Sequence, residues 1–363
     1  MKIIILAPEH DNHTVPVKWA LERAGYEVVC WAGLGWSPQQ QGSIALPEPP
    51  RLRIGSTELA AGDAVWMRRP QPPTPNPAVA EADRKFAQSE YRWFSDSLLY
   101  LLDLLPVRCI NRYSASRTIR NKAVQLVLAQ RCGMSIPATL LSNAPETVRH
   151  FLHQPSAPSI CKAFFPHIWR GRQDQSVAVT ETFPVSEDML PDDEVLTYAP
   201  AIYQQRIAKE FDVRFVLMGD AVCSVALHNP RGSIDWRQDV TQGQVRVESL
   251  ATPEAIRQQV LAFARASGIV FGSFDFAVDR DGQWWFFEVN EQGQFLWLDD
   301  FNPDLHLMEK FLSFLTAPEG STQDRIDAAA AQFPSWKDYL ASPAASQPEP
   351  EQAPNLPECM SLE

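Results

Sequence analysis

Short apolar runs alternate with amphipathic segments at the start of the chain. The run IIIL at 3–6 and the run YEVVCW at 26–31 predict buried strands, and Thr14 lies where a connecting helix would begin. A longer helix is predicted over 81–105, where apolar residues recur at helical spacing before Pro106. Strands that alternate with helices in this way are typical of an α/β layer.

Proline-rich segments and short strands lie between and after these elements. Residues 37–50 are predicted to be irregular, while AVWMRRP at 64–70 and VRCIN at 107–111 predict short strands. A helix is predicted over 116–131, and Gly133 follows it as a typical helix end. Further strands are predicted at 135–143, 159–165, 201–208 and 212–227, with helices over 253–267 and 303–316.

The clearest pattern is a hairpin in the last third of the chain. The segments FDFAVD at 274–279 and QWWFFEVN at 283–290 both resemble strands, and Arg280, Asp281 and Gly282 join them. Asp-Gly supplies the positive φ angles that a tight turn requires. We therefore predict two neighbouring antiparallel strands here.

Composition is close to the average for a globular protein. Apolar residues make up 45% of the 363 residues and charged residues 21%, and the length suits two or three packed units. The chain lacks a run of about 18 apolar residues and a signal-peptide pattern, so a cytoplasmic protein without a membrane partner is expected. The net charge of −12 argues against nucleic acid as a partner. Its six cysteines lack metal-site spacing.

Beyond Pro318 the composition changes to Pro, Ala, Ser, Gln and Glu. Residues 319–363 hold eight acidic side chains against Arg325 and Lys337, so half of the net charge lies there. Such a composition cannot bury enough apolar surface to fold by itself, and it predicts a disordered acidic tail over 318–363. Within this tail, FPSWKDYL at 333–340 is a candidate docking segment.

Three oxygen-bearing side chains accompany the predicted hairpin. Strict alternation would place Glu288 and Asn290 on one face of the second strand, with Phe287 and Val289 on the other, and Asp275 lies on the neighbouring strand. One or two carboxylates with a further oxygen donor suit Mg²⁺, which also binds water and phosphate. A solvated strand face with ordinary polar residues is the alternative.

Cationic side chains form the second part of the pattern. Lys122 lies near a helix start, and Lys162 lies inside an apolar strand, where a charge is costly unless it meets an anion. Asp212 and Arg214 share one face of a strand, and Arg237 follows in a loop. An arginine can hold a phosphate or a carboxylate through two hydrogen bonds. For each residue a solvent-exposed position or a surface salt pair is the alternative.

The order of these features resembles that of the ATP-grasp superfamily over roughly residues 1–317. The resemblance implies a mixed α+β and α/β fold, with an N-terminal α/β pre-ATP-grasp domain over 1–113 and a two-lobed nucleotide-binding region over 114–317. It implies ATP and Mg²⁺ as cofactors. The site residues that it implies are Lys122, Lys162, Gln204, Gln205, Arg206, Ile207 and Asp212 for ATP, Arg214 and Arg237 for catalysis, and Asp275, Glu288 and Asn290 for the metal.

Within that superfamily the chain is most similar to the maturation ligases of graspetides, the microviridin-type ribosomal peptides. The segments that carry this resemblance are VWMRRP (65–70), residues 110–152, DWR (235–237) and FFEVNEQGQFLWLD (286–299). Such ligases activate Asp or Glu side chains as acyl phosphates and form lactones or lactams. Two departures stand out: relatives usually have an acid where this chain has Gln205, and the loop 163–174 has one glycine.

The partner implied by this resemblance is a ribosomally made precursor peptide with a leader and an acidic core. The helix 81–105, Arg68 and Arg69 are candidates for binding the leader, with a structural salt bridge as the alternative for both arginines. A homodimer also remains open. Two other functions stay as hypotheses: a ligase for free amino acids or small peptides, similar to glutathione synthetase or the glutamate ligases, and an inactive nucleotide-binding module that recognises a peptide.

Overall fold

The computed structural model describes most of the chain. The described residues are 1–47, 49–153, 158–165, 168–170, 177–240, 243–317 and 322–346. The strands are β1 (Lys2–Ile5), β2 (Glu27–Cys30), β3 (Gly42–Ala45), β4 (Arg51–Ile54), β5 (Thr57–Glu58), β6 (Ala64–Trp66), β7 (Arg108–Ile110), β8 (Thr139–Ser142), β9 (Ser159–Lys162), β10 (Ile168–Arg170), β11 (Val177–Val179), β12 (Phe183–Val185), β13 (Ala201–Gln205), β14 (Lys209–Met218), β15 (Ala221–His228), β16 (Arg246–Leu250), β17 (Phe271–Asp279) and β18 (Trp284–Asn290). The helices are α1 (Thr14–Arg23), α2 (Arg84–Leu102), α3 (Tyr113–Ile119), α4 (Lys122–Arg131), α5 (Pro145–His153), α6 (Asp193–Leu196), α7 (Arg237–Val240), α8 (Glu254–Ser267), α9 (Trp297–Phe301), α10 (Leu307–Thr316), α11 (Gln323–Ala330) and α12 (Trp336–Leu340).

The first part of the chain forms a four-stranded parallel sheet in the order β2-β1-β6-β7. Both faces of this sheet are buried, as its unbroken apolar runs require. One face packs on α2, through residues such as Ile4 and Leu98. The other face shares a core with α1 and α10, in which Phe311 lies 4.7 Å from the Trp66 ring centroid. The predicted α/β layer is confirmed.

Two local predictions need correction. Residues 37–50 are not irregular throughout, because 42–45 pairs with 51–54 in a small antiparallel sheet, β3-β4-β5. The helix predicted over 116–131 is divided into α3 and α4. Its division lies at Asn121, whose side chain accepts the N–H groups of the first turn of α4 and so caps a new helix.

The second half of the chain contains two larger sheets. One has the order β12-β9-β13-β8, and the other has the order β16-β15-β14-β17-β18. Only residues 206–208 separate β13 from β14, so this short segment joins the two sheets directly. One face of the five-stranded sheet packs on α3, α4 and α8 through a phenylalanine cluster that includes Phe215, Phe263 and Phe274.

The predicted hairpin is confirmed as β17 and β18, with Gly282 at φ 78° in its turn. Its alternation is not strict, however. A bulge places Phe276 opposite Phe286 but Asp275 opposite Glu288, which leaves Phe287 as the extra residue. As a result Phe286 and Val289 enter the core together, and Phe287 does not pack there as alternation had predicted.

The prediction of a disordered tail is wrong for residues 322–346, which contain α11 and α12. Ile326, Trp336 and Tyr339 are buried in the core that α1 and α10 share. A capping box between Ser335 and Asp338 starts α12. The average composition of residues 319–363 does not reveal these few apolar side chains, although FPSWKDYL at 333–340 was predicted to be a candidate docking segment. Residues 347–363 lie outside the described chain, and the division into 1–113 and 114–317 remains a prediction.

Within the part of the chain that the structure describes, each helix is too short or too polar to cross a membrane.

The contact of Trp336 with the body of the protein leads to a stability prediction. Trp336 is 6% exposed and donates a hydrogen bond from Nε1 to Asp300 at 3.0 Å. We expect Trp336→Ala to lower the free energy of unfolding by about 3 kcal/mol, because it removes a large buried side chain. Leu340→Ala on the same helix, where Leu340 is 50% exposed, should change it by less than about 0.5 kcal/mol. Urea unfolding would measure both, and equal losses would contradict the packing described.

A buried carboxylate at the start of α10 leads to a prediction of pH dependence. Asp299 accepts the N–H groups of Leu307 and Met308 at 3.1 and 2.9 Å. Burial raises the pKa of Asp299 to about 7, against an opposing effect of those N–H groups. Because the folded form holds the proton more tightly than the unfolded chain, Asp299 lowers stability as pH rises from about 4 to about 7.

In Asp299→Asn this contribution is absent. Relative to that variant, the wild type should lose about 1.4 kcal/mol of unfolding free energy per pH unit within this window. Unfolding curves collected at several pH values would measure the difference, with Asp304→Asn, an exposed neighbour, as control. A difference that does not vary with pH would contradict the raised pKa of Asp299.

Candidate active site

One face of the five-stranded sheet carries three charged residues side by side on neighbouring strands: Arg214, Asp275 and Glu288. Arg214 on β14 is the cross-strand partner of Asp275 on β17, and Asp275 is the partner of Glu288 on β18. Cross-strand partners share a face of a sheet, and Asn290 follows Glu288 on that face by two residues. The three predicted metal ligands therefore lie on adjacent strands, facing the same side.

Arg214 and Asp275 form a buried ion pair. Nη1 of Arg214 lies 2.5 Å from Oδ1 of Asp275, and Nη2 donates to the carbonyl of Gln294 at 2.8 Å. Burial raises the pKa of Asp275, and the positive charge of Arg214 opposes that rise. Nε of Arg214 is buried and has no hydrogen-bond partner among the described residues. An unpaired buried donor of this kind is costly, and an acceptor atom that reached Nε would remove that cost.

Glu288 is surrounded by cations. Lys122 donates to its Oε2 at 2.7 Å, and Nη2 of Arg237 lies 3.5 Å from its Oε1. Burial would raise the pKa of Glu288. The charges of Lys122, Lys162 and Arg237 outweigh that effect and lower the pKa to about 2, so Glu288 is a carboxylate throughout the ordinary pH range.

Lys162 comes to this site from the other sheet. On β9, its Nζ donates to Oε1 of Gln204 at 3.1 Å, and Gln204 in turn donates to Thr139 at 2.8 Å. Burial lowers the pKa of Lys162, whereas the nearby Glu288 raises it. Lys162 therefore lies close enough to Glu288 on the five-stranded sheet for the two charges to interact.

The predicted hinge, Gln204 to Ile207, spans the end of β13 and the segment that joins the two sheets. Its backbone is fixed: Gln205 donates to the carbonyl of Ala138 at 2.8 Å, and Arg206 donates to the carbonyl of Pro158 at 2.7 Å. The Gln204 side chain is buried, whereas Arg206 is exposed. The N–H groups of Gln205 and Arg206 are thus already engaged within the protein.

Lys209 is a site residue that the sequence reading missed. Its Nζ donates to both carboxylate oxygens of Asp212, at 2.9 and 2.7 Å, and to the carbonyl of Ile234 at 2.9 Å. Burial raises the pKa of Asp212 to about 6, and Lys209 opposes that rise. Strict alternation would put Lys209 and Asp212 on opposite faces of β14. An irregularity between Lys209 and Phe211 shifts this alternation by one residue, so the two side chains can meet on one face.

The outer edge of β18 is held by α4. The side-chain amide of Gln125 accepts the N–H of Val289 at 2.9 Å and donates to its carbonyl at 2.9 Å, as a neighbouring strand would. Gln125 also donates to the carbonyl of Ile119 at 2.7 Å. Because Lys122 lies one turn earlier on α4, this clamp holds the helix in the register that brings Lys122 to Glu288.

The charges of the site do not cancel. Its cations are Lys122, Lys162, Lys209, Arg214 and Arg237, and its carboxylates are Asp212, Asp235, Asp275 and Glu288. A surplus of cations around buried carboxylates suits a polyanion that binds together with a metal ion. The oxygen donors of Asp275, Glu288 and Asn290 fit Mg²⁺. The loop 163–174, with its one glycine, lies mostly outside the described residues.

A search of protein-family models and a search of curated proteins found no match. Among solved structures, a RiPP-associated ATP-grasp ligase of Chryseobacterium gregarium, in complex with ADP and a leader and core peptide, superposes with a TM-score of 0.74. It is 22% identical, over 89% of this chain and 99% of its own. The fold is that of the ATP-grasp ligases.

Two further structures support this ATP-grasp assignment. The macrocyclase MdnC of Microcystis aeruginosa, bound with its precursor peptide MdnA, has a TM-score of 0.69 at 20% identity, over 87% of this chain and 99% of its own. The macrocyclase MdnB of the same organism has a TM-score of 0.67 at 22% identity, over 88% of this chain and 100% of its own. The predicted ATP-grasp fold is confirmed, and the chemistry of the site has to be argued from its residues.

The Gln125 clamp leads to a prediction. Gln125→Ala leaves the N–H and the carbonyl of Val289 without their partners, so we expect the free energy of unfolding to fall by about 2–3 kcal/mol. Gln130→Ala, at an exposed position of the same helix, is the matched control and should have an effect of less than about 0.5 kcal/mol. Hydrogen exchange at Val289 should accelerate in the first variant alone. Unchanged exchange there would show that the edge of β18 does not depend on Gln125.

Proposed function

We propose that this chain is an ATP- and magnesium-dependent ligase, which activates Asp or Glu side chains of a ribosomally made precursor peptide and closes lactone or lactam rings. The likeness of its ATP-grasp fold to a ligase solved with ADP, leader and core peptide supports this proposal. So does the likeness to MdnC, a macrocyclase solved with a precursor peptide.

A single feature of the site carries the proposal. Five cationic side chains lie close to the carboxylates of Asp212, Asp275 and Glu288, and they come from four elements of the two sheets and their helices, α4, β9, β14 and α7. Such an arrangement suits a triphosphate with Mg²⁺, because the polyanion neutralises the surplus positive charge and the carboxylates hold the metal. An ordinary surface would place these charges in water, where they need no such convergence.

Each part of the site then has a task in binding ATP. Lys162 and Lys122 would neutralise phosphate oxygens, and Arg237 would do so from the start of α7. The hinge segment from Gln204 to Ile207 would receive the adenine mainly through its backbone, with Asp212 near the ribose. Mg²⁺, held by Asp275, Glu288 and Asn290, would neutralise charge on the transferred phosphoryl group.

The reaction itself needs positioning more than a protein nucleophile. A carboxylate oxygen of the substrate attacks the γ-phosphorus of ATP, and ADP leaves. A hydroxyl or an amine of the peptide then attacks the carbonyl carbon of the acyl phosphate, loses its proton, and expels inorganic phosphate. We assign to Arg214 the substrate carboxylate and its acyl phosphate, because Nε of Arg214 is a buried cationic donor without a hydrogen-bond partner among the described residues.

The partner in this proposal is a precursor peptide with a leader and an acidic core. A short reading frame beside the gene, rich in Thr, Ser, Asp, Glu or Lys, would supply it. A cytoplasmic location, and a homodimer as the assembly, remain predictions.

The main test is incubation of the protein with ATP, Mg²⁺ and that peptide, followed by mass spectrometry. We expect the loss of one water per ring and the release of one ADP per ring. In the presence of hydroxylamine the acyl phosphate should be trapped as a hydroxamate. Turnover with free amino acids but not with the peptide would reject the precursor as substrate, and nucleotide binding without any product would reject a ligase.

Variants of the charged residues provide a second test. Glu288→Gln and Arg214→Ala should each lower kcat by about 10²–10³, because each removes a charge that acts on the transferring group. Glu254→Gln, whose side chain is 70% exposed on α8, is the matched control and should retain full activity. Wild-type rates in Glu288→Gln would exclude a role for Glu288 in the metal site.

A further inference from the structure

Arg68 follows β6 and is 2% exposed. It therefore cannot bind a leader peptide at the surface, a role for which the sequence had made it a candidate. Its Nη1 donates to the carbonyls of Gly293 and Gln292 at 2.6 and 3.1 Å, and its Nε donates to Asp11 at 3.0 Å. The structural salt bridge is thus the correct alternative for this residue. A guanidinium presents its donors in a fixed fork, so one side chain holds two successive carbonyls and a carboxylate.

His13, at the start of α1, holds the next part of the same loop. Its Nε2 accepts the N–H groups of Phe295 and Leu296 at 3.0 and 3.3 Å. Burial lowers the pKa of His13 well below its usual value, and the charge of Arg68 lowers it further. The ring is therefore neutral at ordinary pH, which is the state in which Nε2 can accept these bonds.

Gln294 lies between the two parts of the loop that are held in this way. Its carbonyl accepts a hydrogen bond from Nη2 of Arg214 at 2.8 Å and another from Nε1 of Trp297 at 3.0 Å. Arg214 is thus fixed at two points, by Asp275 through Nη1 and by this carbonyl through Nη2. A shift of the loop would rotate the guanidinium and move its unpaired Nε.

We propose that Arg68 is a positioning residue for Arg214: it fixes the backbone of residues 292–294, and that backbone sets the direction in which Nε of Arg214 points. The N-terminal unit thereby takes part in placing the substrate carboxylate, although none of its side chains need touch the substrate. The inference rests on the proposed function of Arg214. A lysine could retain the charge opposite Asp11 but could not hold both carbonyls.

The first experiment is a double-mutant cycle of Arg68→Lys and Arg214→Ala. Arg68→Lys alone should lower kcat for the peptide by about 10- to 100-fold, as misplacement of a catalytic group does, and leave the KM for ATP unchanged. In the Arg214→Ala background, single-turnover measurement should show less than a further twofold loss, because the group that Arg68 positions is gone. Equal losses in both backgrounds would overturn the proposal.

Two further variants complete the design. Trp297→Phe removes the other donor to the Gln294 carbonyl and retains an aromatic ring, so it should give a smaller loss in the same direction. If Arg68→Lys does not fold, Trp297→Phe takes its place in the double-mutant cycle with Arg214→Ala. Arg53→Met is the control, because Arg53 is an N-terminal arginine with an exposed ion pair to Glu58 at 3.6 Å, and its rates should equal those of the wild type.

A measurement without turnover separates this inference from the proposed function. The Nε–H resonance of Arg214 can be assigned by its absence in Arg214→Ala. It should shift in Arg68→Lys and in Trp297→Phe, and stay unchanged in Arg53→Met. An unchanged resonance in Arg68→Lys would overturn the positioning role even in an active ligase. A shifted resonance in a protein that forms no product would instead reject the proposed function.

Discussion

Two carboxylates that face each other across a pair of strands set the conditions for the rest of this site. Asp275 and Glu288 are cross-strand partners on a partly covered sheet face, and like charges so close cannot both persist without compensation. The compensation comes from three directions: Arg214 from the adjacent strand, Lys122 from the start of α4, and Arg237 from the start of α7, where the sequence had predicted a loop. The folded chain therefore places several positive charges around Asp275 and Glu288.

This constraint explains why the supporting contacts are so specific. A carboxylate held by several cations keeps its charge at low pH, as the pKa of about 2 for Glu288 indicates. The cations must then be placed accurately by groups that do not themselves contact these two carboxylates. The Gln125 amide fixes α4 against β18, and the loop after β18 is fixed by Arg68 and His13. Groups outside the charged centre thus maintain its geometry.

Much of this arrangement could be predicted from the sequence, because it follows from local rules. The hairpin, its Asp-Gly turn and the shared face of Glu288 and Asn290 follow from alternation and turn chemistry. Lys122 at a helix start and Lys162 within an apolar strand were visible in the same way. Such features depend on residues that are neighbours in the chain.

What could not be predicted depends on exceptions to these rules or on long-range contacts. The bulge at Phe287 and the irregularity before Phe211 change which residues share a face, so Phe287 was misplaced and Lys209 was missed. The Gln125 clamp joins a helix to a strand edge far along the chain. The helices of residues 322–346 were missed because average composition carries no information on a few apolar side chains that meet a distant surface.

The position of those last helices has a consequence for biosynthesis. Trp19 on α1 meets Tyr339 on α12, and Tyr26 stacks on Phe333, so almost the entire chain separates the two sides of one interface. The residues from α1 to α12 must therefore all be synthesised before this interface can close, so the apolar side chains of Trp19 and Tyr26 stay uncovered until then. A chain that ends before α11 would leave this apolar surface exposed to water and to other chains.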